Sequence, residues 1–533
     1  MNSFRITLTK AALALMAAAN MVQAQSLDPA KPPREAWPTY NGDYSGRRFS
    51  PLADVNAGNV QSLSVAWMYR IANVGQQRGV GAPDIKSTPL MVDGVLYFTI
   101  PDHVYAVDAR TGRELWHYDW EDQGGHLIGN RGVGMYGGWL YFMTPDDWFI
   151  SLNAQTGKER WRKKVADEKM QYFTTMAPMV IGNHVIVGVG GDAMDVPGFL
   201  ESRDPETGDV QWRWNTEPKP GEPGAETWPG ESAMEHGGGM TWLPGTYDPE
   251  LDLLYWGTGN PNPVYAGQSR RGDDLWTCSI VALKPETGKL VWYFQASPHD
   301  THDWDNVETP VLFEATVDGH PRKLLAQAAR NGYFFVLDRT NGKSLVSKPY
   351  VPLNWSKGLD ARGEPIPSEK KEPSLDGVLL TIPAGGGTNW LPPSFDPETG
   401  LFYVNATDGY SLAYLTDTDE KPQGYGGSGR NLWSQHVLEA LDYRTGNIAW
   451  RHAYLTASGG SGFPGILTTA GHLLFTGDYA GNLIAYNPGD GAILWHFNMA
   501  HSLSNGPETY RLDGRQYVVA AAGDTLFAFA PAK

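Results

Sequence analysis

Between Pro298 and Glu308 the chain reads PHDTHDWDNVE, which crowds Asp300, His302, Asp303, Asp305 and Glu308 around Trp304. Carboxylates held this close repel one another. A fold keeps them together where a cation sits among them or where one of them acts as a base. Asp303 and Asp305 are one residue apart, so an extended backbone points both to the same side. That arrangement suits two oxygen donors on one hard metal ion. Read alone, the stretch is equally well a polar loop with an aromatic ring beneath it.

The elements that would position these acids are short strands. The 533 residues include 62 Gly, 20 Trp and 25 Tyr, a composition that favours an all-β protein of many strands and tight turns. One pattern recurs: hydrophobe, Asp or Asn, two residues, Thr-Gly, three residues, Trp. It appears as VDARTGRELW ending at Trp116 and LNAQTGKERW at Trp161, and with small changes as RDPETGDVQW at Trp212 and LKPETGKLVW at Trp292. It returns as LDYRTGNIAW at Trp450 and YNPGDGAILW at Trp495, while Leu337 to Gly342 keeps the front half without the Trp. Copies lie roughly 45 residues apart where no insertion intervenes, the period of a four-stranded propeller blade. Thr-Gly makes the turn, and the Trp that follows is large enough to pack between neighbouring units.

Alternating apolar runs mark further strands at Gly94 to Ile100, Trp139 to Met143, His184 to Val189, Leu253 to Gly257, Tyr333 to Leu337, Leu401 to Asn405, Leu473 to Gly477 and Tyr517 to Ala521. Together these predict about seven or eight blades, with eight favoured. Glu217 to Gly239, Lys343 to Pro383 and Thr407 to Arg430 read as long loops, which in a compact fold usually carry or cover a site. No linker separates a second domain.

The net charge of −17 argues against a nucleic-acid partner, which needs a basic face. It permits docking of a basic protein, although solubility explains it as well. Residues 1–24 read as a signal peptide: Arg5 and Lys10, an apolar run from Ala11 to Val22, and a small-residue site at Val22-Gln23-Ala24. The run is too short to span a bilayer, and no later stretch reads as a transmembrane helix. A mature, exported protein of residues 25–533 is expected, forming one propeller domain. The lone Cys278 excludes an internal disulfide and a CxxCH haem site, and reads as a buried small hydrophobe.

With the repeat and the acidic stretch side by side, the chain resembles the pyrroloquinoline quinone (PQQ)-dependent alcohol and methanol dehydrogenases. The likeness runs from Trp37-Pro-Thr-Tyr and Arg48-Phe-Ser-Pro-Leu to the last strand. It implies a periplasmic eight-bladed propeller with the quinone and a metal ion on its axis. Gly237-Gly-Gly-Met-Thr-Trp resembles the segment that floors the quinone, so Trp242 would stack on the ring and Thr241 bond its edge. Trp256-Gly-Thr-Gly-Asn-Pro resembles the motif whose Asn, here Asn260, ligates the metal. Asn130-Arg131-Gly132-Val133 resembles the stretch whose Arg pairs with a quinone carboxylate, a natural bidentate partner. Arg330, in Arg-Asn-Gly, resembles the basic residue at the reactive quinone oxygens, Asn389-Trp390 a pair at the cofactor edge, and Thr175 a hydroxyl donor to the cofactor. By the same resemblance Asp303 is the catalytic base that takes the alcohol proton during hydride transfer. Asp305 is the additional acid of the lanthanide-using branch, where calcium enzymes carry a small residue. An added carboxylate benefits a trivalent ion more than a divalent one.

Three positions depart from the family pattern. Ala193 stands where a Glu ligand is expected, with Asp192 and Asp195 flanking it, each a candidate to supply the missing carboxylate though neither is a clean substitute. Gly125-His126 replaces a vicinal disulfide over the quinone, leaving His126 to stack there or to serve only as a loop residue. A family Trp is replaced around Phe463-Pro464-Gly465. The resemblance therefore implies a periplasmic dehydrogenase that oxidises a small alcohol, or an aldehyde, using PQQ with calcium or a lanthanide. It would pass electrons to a separate acceptor such as a soluble cytochrome c. The alternatives are a non-catalytic propeller that acts as a binding scaffold and a quinoprotein relic that binds without turnover.

Overall fold

A computed structural model describes residues 28–71, 84–121, 124, 126–191, 195–419, 422–457 and 464–532. The expected signal peptide, Gly125, Asp192, Ala193 and Phe463 lie outside the described residues. Among the described residues the strands form eight sheets of four or five strands and one two-stranded hairpin. The first sheet sets the pattern, with antiparallel strands β1 (Leu90–Val92), β2 (Val95–Ile100), β3 (His103–Asp108) and β4 (Glu114–Asp119) in sequence order. The last sheet is built from both ends of the described chain: Leu63–Arg70 pairs antiparallel with the final strand, Thr525–Pro531. No helix among the described residues is long and apolar enough to cross a membrane.

The recurring motif explains itself in these sheets. Its Asp or Asn turns the chain by accepting backbone N–H groups two and three residues on. Asp108 Oδ1 accepts from Arg110 N and Thr111 N, both at 3.0 Å, and Asn153 and Asp204 repeat the device. The Thr-Gly that follows brings a bare glycine onto the indole of the preceding sheet. A Cβ on Gly157 would stand 2.5 Å from the Trp116 ring, and Gly157 has φ +68°, which favours glycine. In five copies the indole N–H then donates to a carbonyl of the next sheet: Trp116 to Ala154 O at 3.0 Å, Trp161 to Glu206 O at 2.8 Å, Trp212 to Pro285 O at 2.7 Å, Trp292 to Arg339 O at 3.1 Å and Trp450 to Pro488 O at 2.9 Å. Trp67, on the strand that completes the last sheet, docks in the same way on the first sheet, through Ala109 O at 3.0 Å. The copy that ends without Trp offers Val346 and Lys348 to Gly446 instead. The apolar core follows the same logic, with clusters shared between neighbouring sheets, such as Val92, Tyr97 and Val104 with Leu140 and Phe142.

The segment from Trp37 to Ser50 threads along the first strands of successive sheets. Trp37 N donates to Met91 O, Tyr44 Oη to Val180 O, and Tyr44 O accepts from Tyr247 N. Ser45 O, Arg47 O and Arg48 O then accept from Leu312 N, Phe395 N and Thr468 N. One segment thereby ties six sheets together.

Two expected loops contain strand, the first of them over about half its length. Thr407 to Arg430 lies mostly within a hairpin of Leu401–Leu415 and Gly427–Asp442. Its Gly and Asp content hid the period-2 pattern, and Tyr410 and Trp433 stand exposed on it. Lys343 to Pro383 holds the strands Lys343–Pro349, Ser356–Leu359, Pro365–Pro367 and Val378–Leu380. Cys278 is fully buried, as expected, and its thiol reaches Trp304 O at 3.2 Å.

Candidate active site

The predicted site residues share a position in the architecture. Arg131, Thr175, Thr241-Trp242 and Asp303 to Asp305 each lie a few residues ahead of the first strand of a successive sheet, from the second to the fifth, and Asn389-Trp390 lies just ahead of Ser394–Asp396 in the sixth. Asn260 and Arg330 follow the second strands of the fourth and fifth sheets, Leu253–Gly257 and His320–Ala328. Sheets joined in this order present those segments at a common end.

The acids meet a fork. Arg330 Nη2 donates to Asp303 Oδ2 at 2.9 Å, Nη1 to Asp305 Oδ2 at 2.6 Å, and Nε to Gly385 O at 3.1 Å. Burial works against the Arg330 charge, but Asp303, Asp305 and Glu308 outweigh it and push its pKa upward. Asp305 Oδ1 also accepts from the backbone N–H of Asn260 at 3.0 Å, which holds that residue beside the acid. Asn260 is fully buried, and its Oδ1 has no hydrogen-bond partner among the described residues. An unsatisfied buried oxygen beside two carboxylates is what a hard cation would satisfy. The Asp303 side chain is 19% exposed against 4% for Asp305. Asp303 is therefore the acid that a small molecule can reach.

A second group surrounds Arg131. Its guanidinium lies 4.8 Å from the Trp242 ring centroid and 4.6 Å from that of Trp390. Nη1 donates to Thr175 O at 3.3 Å, and burial pushes the Arg131 pKa down to about 10. Nε has no partner among the described residues. A buried arginine between two indoles, short of acceptors, fits a flat anionic ligand. The two groups are joined through backbone, with Gly259 N donating to Met240 O at 2.8 Å.

Some expected residues sit differently. Thr241 Oγ1 accepts from Val189 N at 3.2 Å and donates to Phe199 O, so its hydroxyl anchors the sheet. Asn389 Oδ1 accepts from Trp390 N at 2.8 Å and shapes the turn. Asp195 Oδ2 accepts from Gly424 N at 2.8 Å, a bond to the 422–424 segment. The exposed His126 ring meets Phe173 edge-on at 5.0 Å. Among the described residues no group of three His, Cys, Asp or Glu stands at metal-holding distance. The protein donors in view are thus two aspartates and one amide.

Sequence reasoning named Asp300 and His302 without their part in holding the acidic stretch, and did not reach Arg270 or Lys371. Asp300 Oδ2 accepts from the N–H groups of His302, Asp303 and Trp304 at 3.2, 3.0 and 3.2 Å. His302 stacks on Trp304 at 4.4 Å, and burial holds its pKa well below the ordinary histidine value. Arg270 and Lys371, both buried, reach the same loop.

A family model described as glucose/ethanol/alcohol dehydrogenase, beta-propeller domain, matches residues 37–357. A model described as outer membrane protein assembly factor BamB matches residues 434–533. The chain is 36% identical over 514 residues to quinoprotein alcohol dehydrogenase PedH of Pseudomonas putida, covering 90% of this chain and 84% of the relative. It is 34% identical over 534 residues to 1-butanol dehydrogenase (cytochrome c) of Thauera butanivorans, covering 91% and 74%. Among solved structures, the quinohemoprotein alcohol dehydrogenase of Comamonas testosteroni superposes with a TM-score of 0.85 at 32% identity, covering 93% of this chain and 80% of that one. A europium-containing methanol dehydrogenase gives 0.81 at 28% identity, covering 94% and 98%.

Proposed function

Because the chain belongs to the PQQ-dependent quinoprotein alcohol dehydrogenase family, we propose that it is a periplasmic enzyme oxidising an alcohol, or an aldehyde, with electrons passing to a separate acceptor. A relative named for cytochrome c and the net charge of −17 support a basic soluble cytochrome as that acceptor. The eight sheets are read as the blades of one eight-bladed propeller spanning residues 25–533. The indole contacts that run from sheet to sheet, and from the last to the first, support that reading.

The observation that carries the function is the fork of Arg330 on Asp303 and Asp305 beside the unsatisfied Asn260 amide. Asp303, Asp305 and Asn260 would hold the metal ion, calcium or a lanthanide. Trp242, Trp390, Arg131 and Thr175 would hold PQQ, with Arg131 on a carboxylate. When bound, the quinone supplies the hydride acceptor and the ion a Lewis acid. The protein supplies the rest. Asp303, the reachable acid, takes the hydroxyl proton of the substrate. Arg330 keeps that carboxylate aimed and ionised. Asp305, pinned by Arg330 and Asn260, keeps the donors in register.

The test is PQQ uptake followed by its near-ultraviolet band, and then dye-linked alcohol oxidation. Uptake with turnover supports the enzyme, whereas absence of both removes it. A binding scaffold is the second reading, favoured by the match of residues 434–533 to the assembly-factor model. A scaffold takes up no quinone.

A further inference from the structure

The acidic loop is held from outside by a residue far along the chain. Lys371, on the single turn Glu369–Lys371, is 1% exposed. Its Nζ donates to His299 O at 2.9 Å and to Thr301 Oγ1 at 2.8 Å, and it pairs with Glu372 Oε1 at 2.8 Å. Three protons meet three acceptors. Arg270 Nη2 holds the next carbonyl, Asp300 O, at 2.6 Å. Between these two cations the turn 299–301 has little freedom, and the residues C-terminal to it depend on that. Asp300 can cap the amides of residues 302–304 only while its own backbone is fixed. Asp303, with φ +67°, occupies a left-handed conformation that few L-residues other than Asn and Asp adopt, so its backbone geometry is specific. The segment that carries Lys371 also seats Trp355 on Trp304, with ring centroids 5.2 Å apart, and Trp355 Nε1 donates to Asn331 O at 2.8 Å, next to Arg330. One strap therefore touches the residues next to both partners of the Arg330–Asp303 pair, Trp304 and Asn331.

We propose that Lys371 is a positioning residue for Asp303: by pinning His299 and Thr301 it fixes the Asp300 cap, and through it the left-handed backbone that aims the Asp303 carboxylate at Arg330 and the substrate. The inference rests on the reading of Asp303 as the base, but the geometry it asserts can be measured without turnover. Lys371 does not touch substrate or cofactor.

The experiment compares Lys371→Met with the wild-type chain and with Lys370→Met, an exposed neighbour. Amide hydrogen exchange is read on the metal-free protein, and steady-state kinetics on protein loaded with PQQ and calcium. Lys371→Met is expected to speed exchange at 299–304 by about tenfold or more while the outer sheets keep their protection. It is expected to lower kcat by about ten- to a hundredfold with KM and quinone uptake within about twofold, as for a misplaced catalytic group. Lys370→Met leaves both unchanged. Unchanged exchange at 299–304, exchange raised evenly over the whole chain, or a loss carried by KM alone each overturns the proposal. Should Lys371→Met not fold, Thr301→Val removes one Lys371 acceptor at near-constant volume and is read in the same way. If the wild-type protein shows no turnover, local exchange still decides the positioning claim while the enzyme reading fails separately.

Discussion

Arg330 donates from Nη1 to Asp305 Oδ2 at 2.6 Å, with the two side chains 9% and 4% exposed. The same fork reaches Asp303 at 2.9 Å, so one planar cation pairs with two acids a single residue apart and offsets one of their two charges. This answers how the fold tolerates the PHDTHDWDNVE stretch: its repulsion is met by a fixed positive charge, with an unsatisfied amide oxygen alongside for a second cation.

Removing the fork should therefore cost most when no other cation is present. Arg330→Ala leaves the buried Asp305, and the partly exposed Asp303 beside it, without their cation; breaking a buried pair of this kind is typically worth about 3–5 kcal/mol. Denaturant unfolding of the metal-free variant should show that loss, and saturating calcium or lanthanum should recover part of it. Equal losses with and without the ion would mean that the ion binds elsewhere.

Asp303→Asn keeps the size of the side chain and one acceptor for Arg330 but removes the base. Turnover should fall by a factor of about 10² or more, while the near-ultraviolet band of bound quinone stays within twofold of the wild-type intensity. Near-normal activity would rule out Asp303 as the base.

On the proposed reading, Asp305 sets the metal preference. Asp305→Ala should weaken lanthanum uptake more than calcium uptake, since a trivalent ion gains more from each carboxylate. Metal content after dialysis against each ion reads this directly. Equal losses would assign Asp305 to Arg330 alone.

Away from the site, Asp147 sets a pH dependence. Its carboxyl is fully buried, neither oxygen has a hydrogen-bond partner among the described residues, and burial pushes its pKa up to about 8. The unfolded carboxyl titrates near pH 4, so between about pH 4 and 8 the folded state holds a proton that the unfolded state has released. Its contribution is complete below about pH 4 and is lost as pH rises towards 8, with a slope of at most about 1.4 kcal/mol per unit. Asp147→Asn should flatten the fall in unfolding free energy between pH 5 and 8. An unchanged slope would contradict the buried neutral acid.

The sheets were legible because their signal is local. An Asp or Asn that caps its own turn, Thr-Gly, and an indole at fixed spacing are all written within ten residues, so Asp108, Gly112 and Trp116 announce a unit before any tertiary contact is known. The acids 303 and 305 were legible for the same reason. The long hairpin Leu401–Leu415 and Gly427–Asp442 was not, because its glycines and exposed aromatics imitate a loop. Nothing near Lys371 marks it as different from Lys370: its meaning lies in Thr301, 70 residues earlier. Thr241 reads as a ligand-facing hydroxyl in the sequence, yet the backbone at Phe199 and Val189 claims it, a contact that no local pattern encodes.

The most direct measurement is reconstitution of the metal-free protein with PQQ plus calcium, or PQQ plus lanthanum, followed by dye-linked oxidation of a panel of primary and secondary alcohols. Quinone uptake with turnover on at least one alcohol, lost in Asp303→Asn, is the expected result. A protein that takes up neither quinone nor ion and oxidises none of the alcohols would contradict the assignment of this site to alcohol oxidation.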